Sequence, residues 1–101
     1  MSEKQSYLLM LVTYTAKPGL RAAFHQIILD EQLQEASRNE PGNLTYDYFL
    51  SVDNPDELLL VEKWTDKKSL DEHCLLPHFI RLQALKKDYI KEVSVVRTEV
   101  N

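Results

Sequence analysis

The sequence predicts an α+β domain of the ferredoxin-like kind, with elements in the order β-α-β-β-α-β. Three observations carry this. Apolar, β-branched runs stand near both ends of the chain. Two stretches with helical spacing of apolar residues lie between them. Two adjacent strand patterns, joined by a Pro-containing turn, separate those helices. A length of 101 residues suits one domain covering 1–101 and leaves no room for two.

The first strand is YLLMLVTYT, residues 7–15, rich in β-branched and aromatic side chains. AKPG at 16–19 punctuates the chain, and Pro18 suits the first turn of a helix. No breaker follows until about Asn39, so one helix is expected over 19–39, with Leu20, Phe24, Ile27 and Ile28 as its apolar stripe. If that helix stays regular, Glu31 and Glu35 continue the stripe. They then either line a cavity or mark where the helix runs past the sheet. NEPGN at 39–43 ends it. LTYDYFLSV (44–52) is a strand with aromatics on both faces, DNPDE (53–57) a turn, and LLLVEKW (58–64) the next strand, so 43–65 form a hairpin. Asp66 is a candidate N-cap for a short helix with Leu70, His73 and Cys74 on one face. Pro77 restarts a helix that carries Leu82, Leu85 and Tyr89. KEVSVVRTEV, 91–100, closes the sheet.

The third strand bears on assembly. Leu58, Leu60 and Trp64 share one of its faces, Leu59 and Val61 the other. A strand apolar on both faces is buried on both, while the helices of this fold cover only one. A second copy of the sheet is the simplest cover, so a two-fold homodimer is expected.

Charge and composition exclude several classes. The net charge is −4, and no Lys/Arg run exceeds a pair, which argues against binding nucleic acid. The N-terminal apolar run is too short to span a membrane and lacks a small-residue cleavage site. Cys74 is the single cysteine, so neither an intrachain disulfide nor a multi-cysteine zinc site can form, and a reducing cytoplasm is compatible. With two glycines in the chain, phosphate-cradling loops are excluded, and nucleophile-elbow and dinucleotide fingerprints are missing.

The residues that could carry chemistry cluster after the third strand. His73, three positions after Leu70, faces the sheet. It is either a core-edge histidine bonded to a backbone carbonyl or a pocket base, since imidazole titrates near neutral pH. His78 follows Pro77 and belongs either to a cap or to a pocket rim. The two are five apart across a Pro-broken helix with no third ligand evident, so no metal site is expected. His25 reads as surface and Cys74 as inert packing. Glu62 shares a strand face with Leu60 and Trp64 and has the same ambiguity as Glu31. Trp64 reads as core. Tyr14, Tyr46, Tyr48, Phe49 and Trp64 could together wall a space for a flat phenolic or quinone ligand.

EPGNLTYDYF followed by LLLVEKWTDKKSLDEHCLLPHF resembles the antibiotic biosynthesis monooxygenase (ABM) family, with the pattern closest to its YgiN-type quinol monooxygenases. The matching residues are Gly42, Asn43, Tyr46, Glu62, Trp64, His73, Pro77, His78 and Phe79, with KPG at 17–19 at the entry to the first helix. The resemblance runs over about residues 6–98. It implies a dimeric α+β barrel and a cofactor-independent oxygenase that takes a small aromatic quinol or phenol and dioxygen. It further implies His73 as base or anion partner, Asn43 as an amide donor, and Tyr46 and Trp64 as walls, with Tyr14, Glu62, His78 and Phe79 also against the substrate. Relatives include isomerases of phosphorylated autoinducer-2 and heme-degrading enzymes. At the positions that mark the heme-degrading branch this chain has Val12, His73 and Gln83, which does not match it. A non-catalytic ligand-binding domain of the same fold is a further alternative.

Overall fold

The computed structural model describes residues 6–101. Its elements are β1 (Tyr7–Ala16), α1 (Arg21–Asp30), α2 (Leu33–Arg38), β2 (Asn43–Leu50), β3 (Glu57–Trp64), α3 (Lys67–His73), α4 (Pro77–Tyr89) and β4 (Ile90–Val100). The strands form one antiparallel sheet in the order β2-β3-β1-β4. This is the ferredoxin-like architecture the sequence predicts.

Strand alternation sorts the side chains onto two faces. Leu58, Leu60, Glu62 and Trp64 of β3 are buried, as are Leu8, Val12, Tyr14 and Ala16 of β1. They pack against Phe24 and Ile28 of α1, Leu33 of α2, Leu70 of α3, and Leu82 and Leu85 of α4. The opposite face carries no helix. Leu9, Leu11, Leu59 and Val61 lie there half-buried, with Leu11 opposite both Val61 and Val96. Phe49 and Val96 remain more than half exposed on that face, at 53% and 54%.

The first helical region departs from expectation. It breaks into two helices at Gln32, which adopts a left-handed conformation with φ 57°. A regular continuation would drive Glu31 and Glu35 toward the core. The break turns the chain so that Leu33 and Ser37 are buried instead. Glu31 points outward and accepts two hydrogen bonds from Arg81 of α4, both 2.7 Å long. The Glu35 side chain is exposed. Glu31 is engaged with Arg81 at the surface, and Glu35 borders only an outer hollow lined by Ile28, Leu29, Gln32, Gln34 and Arg38.

Other local expectations hold. The Asp66 carboxylate accepts the Ser69 N–H at 2.8 Å and caps α3, and Pro77 begins α4. Gly42 matters for the site. A Cβ there would overlap Cβ and Oγ of Ser69, so only glycine lets the segment before β2 lie against α3. The Thr65 N–H closes this approach by donating to the Gly42 carbonyl at 2.9 Å. Among the described residues no helix is long and apolar enough to cross a membrane.

Candidate active site

The close approach at Gly42 brings Glu40 against the end of α3. One oxygen of its carboxylate, Oε2, stands 2.6 Å from Nδ1 of His73 and 2.7 Å from Nε2 of His78. All three side chains are largely buried, at 2% exposure for His73, 9% for Glu40 and 17% for His78. A carboxylate can only accept, so both ring nitrogens donate to it. His73 therefore carries its proton on Nδ1. Its Nε2 makes no hydrogen bond to any described residue.

Burial holds the His73 imidazole below its ordinary value of 6.5, while Glu40, as hydrogen-bond partner and as charge, pulls the other way. The net direction favours the neutral ring, and with the proton on Nδ1 its lone pair is on Nε2. The sequence reading offered a backbone carbonyl as its partner, whereas the structure supplies a carboxylate 33 residues away.

His73 lines a cavity of about 270 Å³ between the sheet and the C-terminal helices. That volume is near the low end for small-molecule sites. Tyr14 and Tyr46 form the sheet side, Phe79 and Leu82 the α4 side, and Val93 and Val95 the β4 side. The Phe79 ring meets His73 edge-on at 5.2 Å, and Tyr46 does so at 5.7 Å. Glu62, Lys86 and Arg97 also reach this space.

Glu62 is 6% exposed. Its Oε1 accepts the Trp64 Nε1–H at 3.0 Å. Burial pushes its carboxyl up from 4.5 to about 7, with Trp64 and then Lys86 opposing the shift.

Of the residues singled out in the sequence, His73, Tyr14, Tyr46, Glu62 and Phe79 are brought together around this cavity. Trp64 stands one layer behind, fully buried, its ring 4.7 Å from that of His73. His78 also stands off the wall, as the second donor to Glu40. Asn43 is turned away: its Nδ2 donates to the carbonyls of Thr45 and Lys63, at 3.0 and 3.4 Å, where the β2–β3 register shifts. The amide serves the bulge rather than the cavity.

Cys74 is an exposed residue bordering the cavity rather than buried packing, and partial desolvation of its sulfur, with the neighbouring carboxylates, raises its pKa. Its thiolate form is disfavoured. His25 is half-buried against Tyr48, with ring centroids 5.7 Å apart.

Three participants escaped the sequence reading. Glu40 joins the two histidines as the acceptor they share, and the potential ligand atoms of the trio lie within 4.8 Å of one another. The N–O separations are those of charge-assisted hydrogen bonds. The sequence shows no third ligand beside the two histidines, and in the structure Glu40 stands in that position. The cations are the other surprise. Lys67 and Lys68, one of two adjacent lysine pairs in the sequence, lie 2.6 and 4.0 Å from Asp71 and Glu72 on the surface of α3. Lys86 and Arg97 reach the cavity instead, because α4 and β4 converge there. Only the EPG turn gave a sign of Glu40.

Residues 8–85 match the family profile described as antibiotic biosynthesis monooxygenase. A protein of Bacillus subtilis (strain 168), named "Putative monooxygenase YcnE", is 33% identical over 72 residues, which is 70% of this chain and 76% of that protein. A crystal structure of an antibiotic biosynthesis monooxygenase superposes with a TM-score of 0.80 at 29% identity, over 93% of this chain and 98% of that one. PA3566 from Pseudomonas aeruginosa superposes with a TM-score of 0.86 over 99% of each chain, and at 24% identity that likeness is one of fold. The profile match, the Bacillus subtilis relative and the 29% identical structure support a monooxygenase-like function in general terms. The profile match covers most of the described chain and takes in the whole histidine cluster, and on that ground the chain belongs to the antibiotic biosynthesis monooxygenase family.

Proposed function

We propose that this protein is a cofactor-independent monooxygenase acting on a small aromatic quinol or phenol, with His73 as the base. The observation that carries the reading is the neutral His73 imidazole, its tautomer set by Glu40 and its free Nε2 at an aromatic-walled cavity. A phenolic hydroxyl against Nε2 gives up its proton there. The resulting anion is electron-rich enough to reduce dioxygen without metal or flavin. Tyr14, Tyr46 and Phe79 hold the ring against a mostly apolar wall. Glu40 stabilises the imidazolium once it forms. Purified protein given a menadiol-type panel should consume oxygen without added metal, flavin or NADH, and a chelator should leave the rate unchanged. No turnover across a broad panel of quinols and anthrones would remove this reading.

A second reading, a cofactor-free isomerase of a small carbonyl compound, gains from Lys86 and Arg97. These cations at the cavity are what a phosphorylated substrate would need. The same base would serve, and turnover under argon separates the two. Ligand binding without reaction under either atmosphere would favour a non-catalytic member of the fold. An exposed free thiol at Cys74 suits a reducing compartment such as the cytoplasm.

The assembly belongs to the same proposal. The helix-free face presents Leu9, Leu11, Leu59 and Val61 in one patch, continued by Phe49 and Val96. We assign it to a second copy of the chain, sheet against sheet. Val61→Lys should then place an unpaired ammonium in a dry interface, at a cost of several kcal/mol, and convert dimer to monomer in sedimentation. A wild-type protein that sediments as a monomer at micromolar concentration would contradict this.

A further inference from the structure

We infer that Glu62 is the second proton-transfer residue of this site, the acid that protonates the peroxide formed when dioxygen adds to the substrate anion. The inference rests on the oxygenase reading above. Its ground is the position of the carboxyl. Glu62 points inward from β3 between Leu60 and Trp64 and lines the same cavity as His73. The Trp64 Nε1–H fixes Oε1. Oε2 makes no hydrogen bond to another described residue, and no cation among them lies within ion-pair distance. A buried carboxyl with one neutral hydrogen-bond donor and no cation at ion-pair distance costs stability when charged and is a good proton donor when neutral.

Its neighbours leave it that role. Tyr14 of β1 and Tyr46 and Tyr48 of β2 face it, and burial keeps their hydroxyls protonated well above 10.0. From the end of α3, Cys74 is held above its ordinary 9.0. Lys86 of α4 and Arg97 of β4 bring positive charge to the cavity, and the Glu40 carboxylate acts on Glu62 with the opposite sign. Asp71 of α3 also borders the cavity, but it is exposed and paired with Lys67, which leaves His73 and Glu62 as the buried acid–base pair on the wall suited to exchange protons near neutrality.

The cycle balances. His73 Nε2 takes the phenolic proton. The anion passes electrons to dioxygen, and a ring carbon that bears hydrogen forms a C–O bond to it. The peroxide anion takes the proton of Glu62 and becomes a hydroperoxide. The Glu62 carboxylate then removes the hydrogen from that carbon as a proton, the C–H electron pair becomes the second bond of a new C=O, and the O–O bond breaks. The departing hydroxide takes the proton held by His73 and leaves as water. One oxygen atom enters the product, the other becomes water, and both side chains return to their starting states.

The acid must be protonated, so turnover should fall as pH rises through about 7, while His73, which must be neutral, sets the fall at lower pH. Steady-state kinetics on the quinol panel tests this, with wild type and Glu62→Gln compared from pH 5 to 9. The expected result is a kcat lower by about 10²-fold in the variant, a KM within a few-fold, and loss of the high-pH limb. Thermal melting gives a readout independent of turnover. A carboxyl raised on folding contributes stability below its unfolded value of 4.5 and loses it as pH rises through about 7. The melting temperature of the glutamine variant should therefore gain on that of wild type across that range. A wild type that turns over while Glu62→Gln keeps its rate and its high-pH limb overturns the assignment alone, as does a flat difference in melting temperature. A wild type that consumes no oxygen across the panel overturns the oxygenase reading and this assignment with it.

Discussion

His73→Ala is expected to lower turnover by about 10²-fold or more while the fold survives. The side chain supplies the only neutral imidazole nitrogen found on the cavity wall among the described residues, and nothing beside it can take over. Glu62 is the nearest alternative, but it is held partly protonated by burial. In wild type the activity should rise with pH through the His73 pKa, which burial places below 6.5. That rise should vanish in the alanine variant. A purely structural histidine gives another pattern. Removing a ring packed 4.7 Å from Trp64 would then lower the melting temperature and leave the activity per folded molecule unchanged. His78→Ala should cost less, because His78 stands off the cavity wall and only shares Glu40. Melting temperature and turnover measured together on both variants decide between these patterns.

Glu40→Gln should lower turnover by about 10²-fold as well, for a different reason. Glu40 touches no substrate in this account and acts as a positioning residue. The amide keeps an oxygen that can accept the His73 Nδ1–H, but it removes the charge that stabilises the imidazolium, and it can present an NH₂ that favours the wrong tautomer. The sign of the pH effect is distinctive. Glu40 raises the His73 pKa against the lowering by burial. Without it, the low-pH limb should move to lower pH even as the plateau falls. Glu40→Asp should restore part of the rate. A variant that merely loosened the packing would reduce the amount of folded enzyme without moving that limb.

The parts of this account that were legible in sequence are those set by local pattern. The order of elements followed from strand alternation and helical spacing, the caps at Asp66 and Pro77 from residue type, and the inward face of His73 from its distance to Leu70. The break at Gln32 was not legible, since no Gly or Pro marks it. It arises because tertiary burial of Leu33 and Ser37 outweighs the helical register of Glu31 and Glu35. Glu40 was hidden for a different reason. It stands in a turn, and its meeting with His73 depends on Gly42 lying against Ser69 across 27 residues. Lys86 reads as one of several solvated lysines until β4 closes the cavity beside it. Asn43 went the other way: its place in a family pattern suggested a ligand, and its hydrogen bonds belong to a bulge.

The central claim is that burial keeps His73 neutral while Glu40 holds its proton on Nδ1, leaving the lone pair on Nε2. Nitrogen-15 NMR of the imidazole rings, recorded on substrate-free protein at pH 7.5 with His73→Ala for assignment, measures this directly. The account predicts a neutral ring with a protonated Nδ1 and an unprotonated Nε2 in wild type, and a mixture of tautomers in Glu40→Gln. A ring protonated on Nε2, or one carrying protons on both nitrogens at that pH, would contradict it.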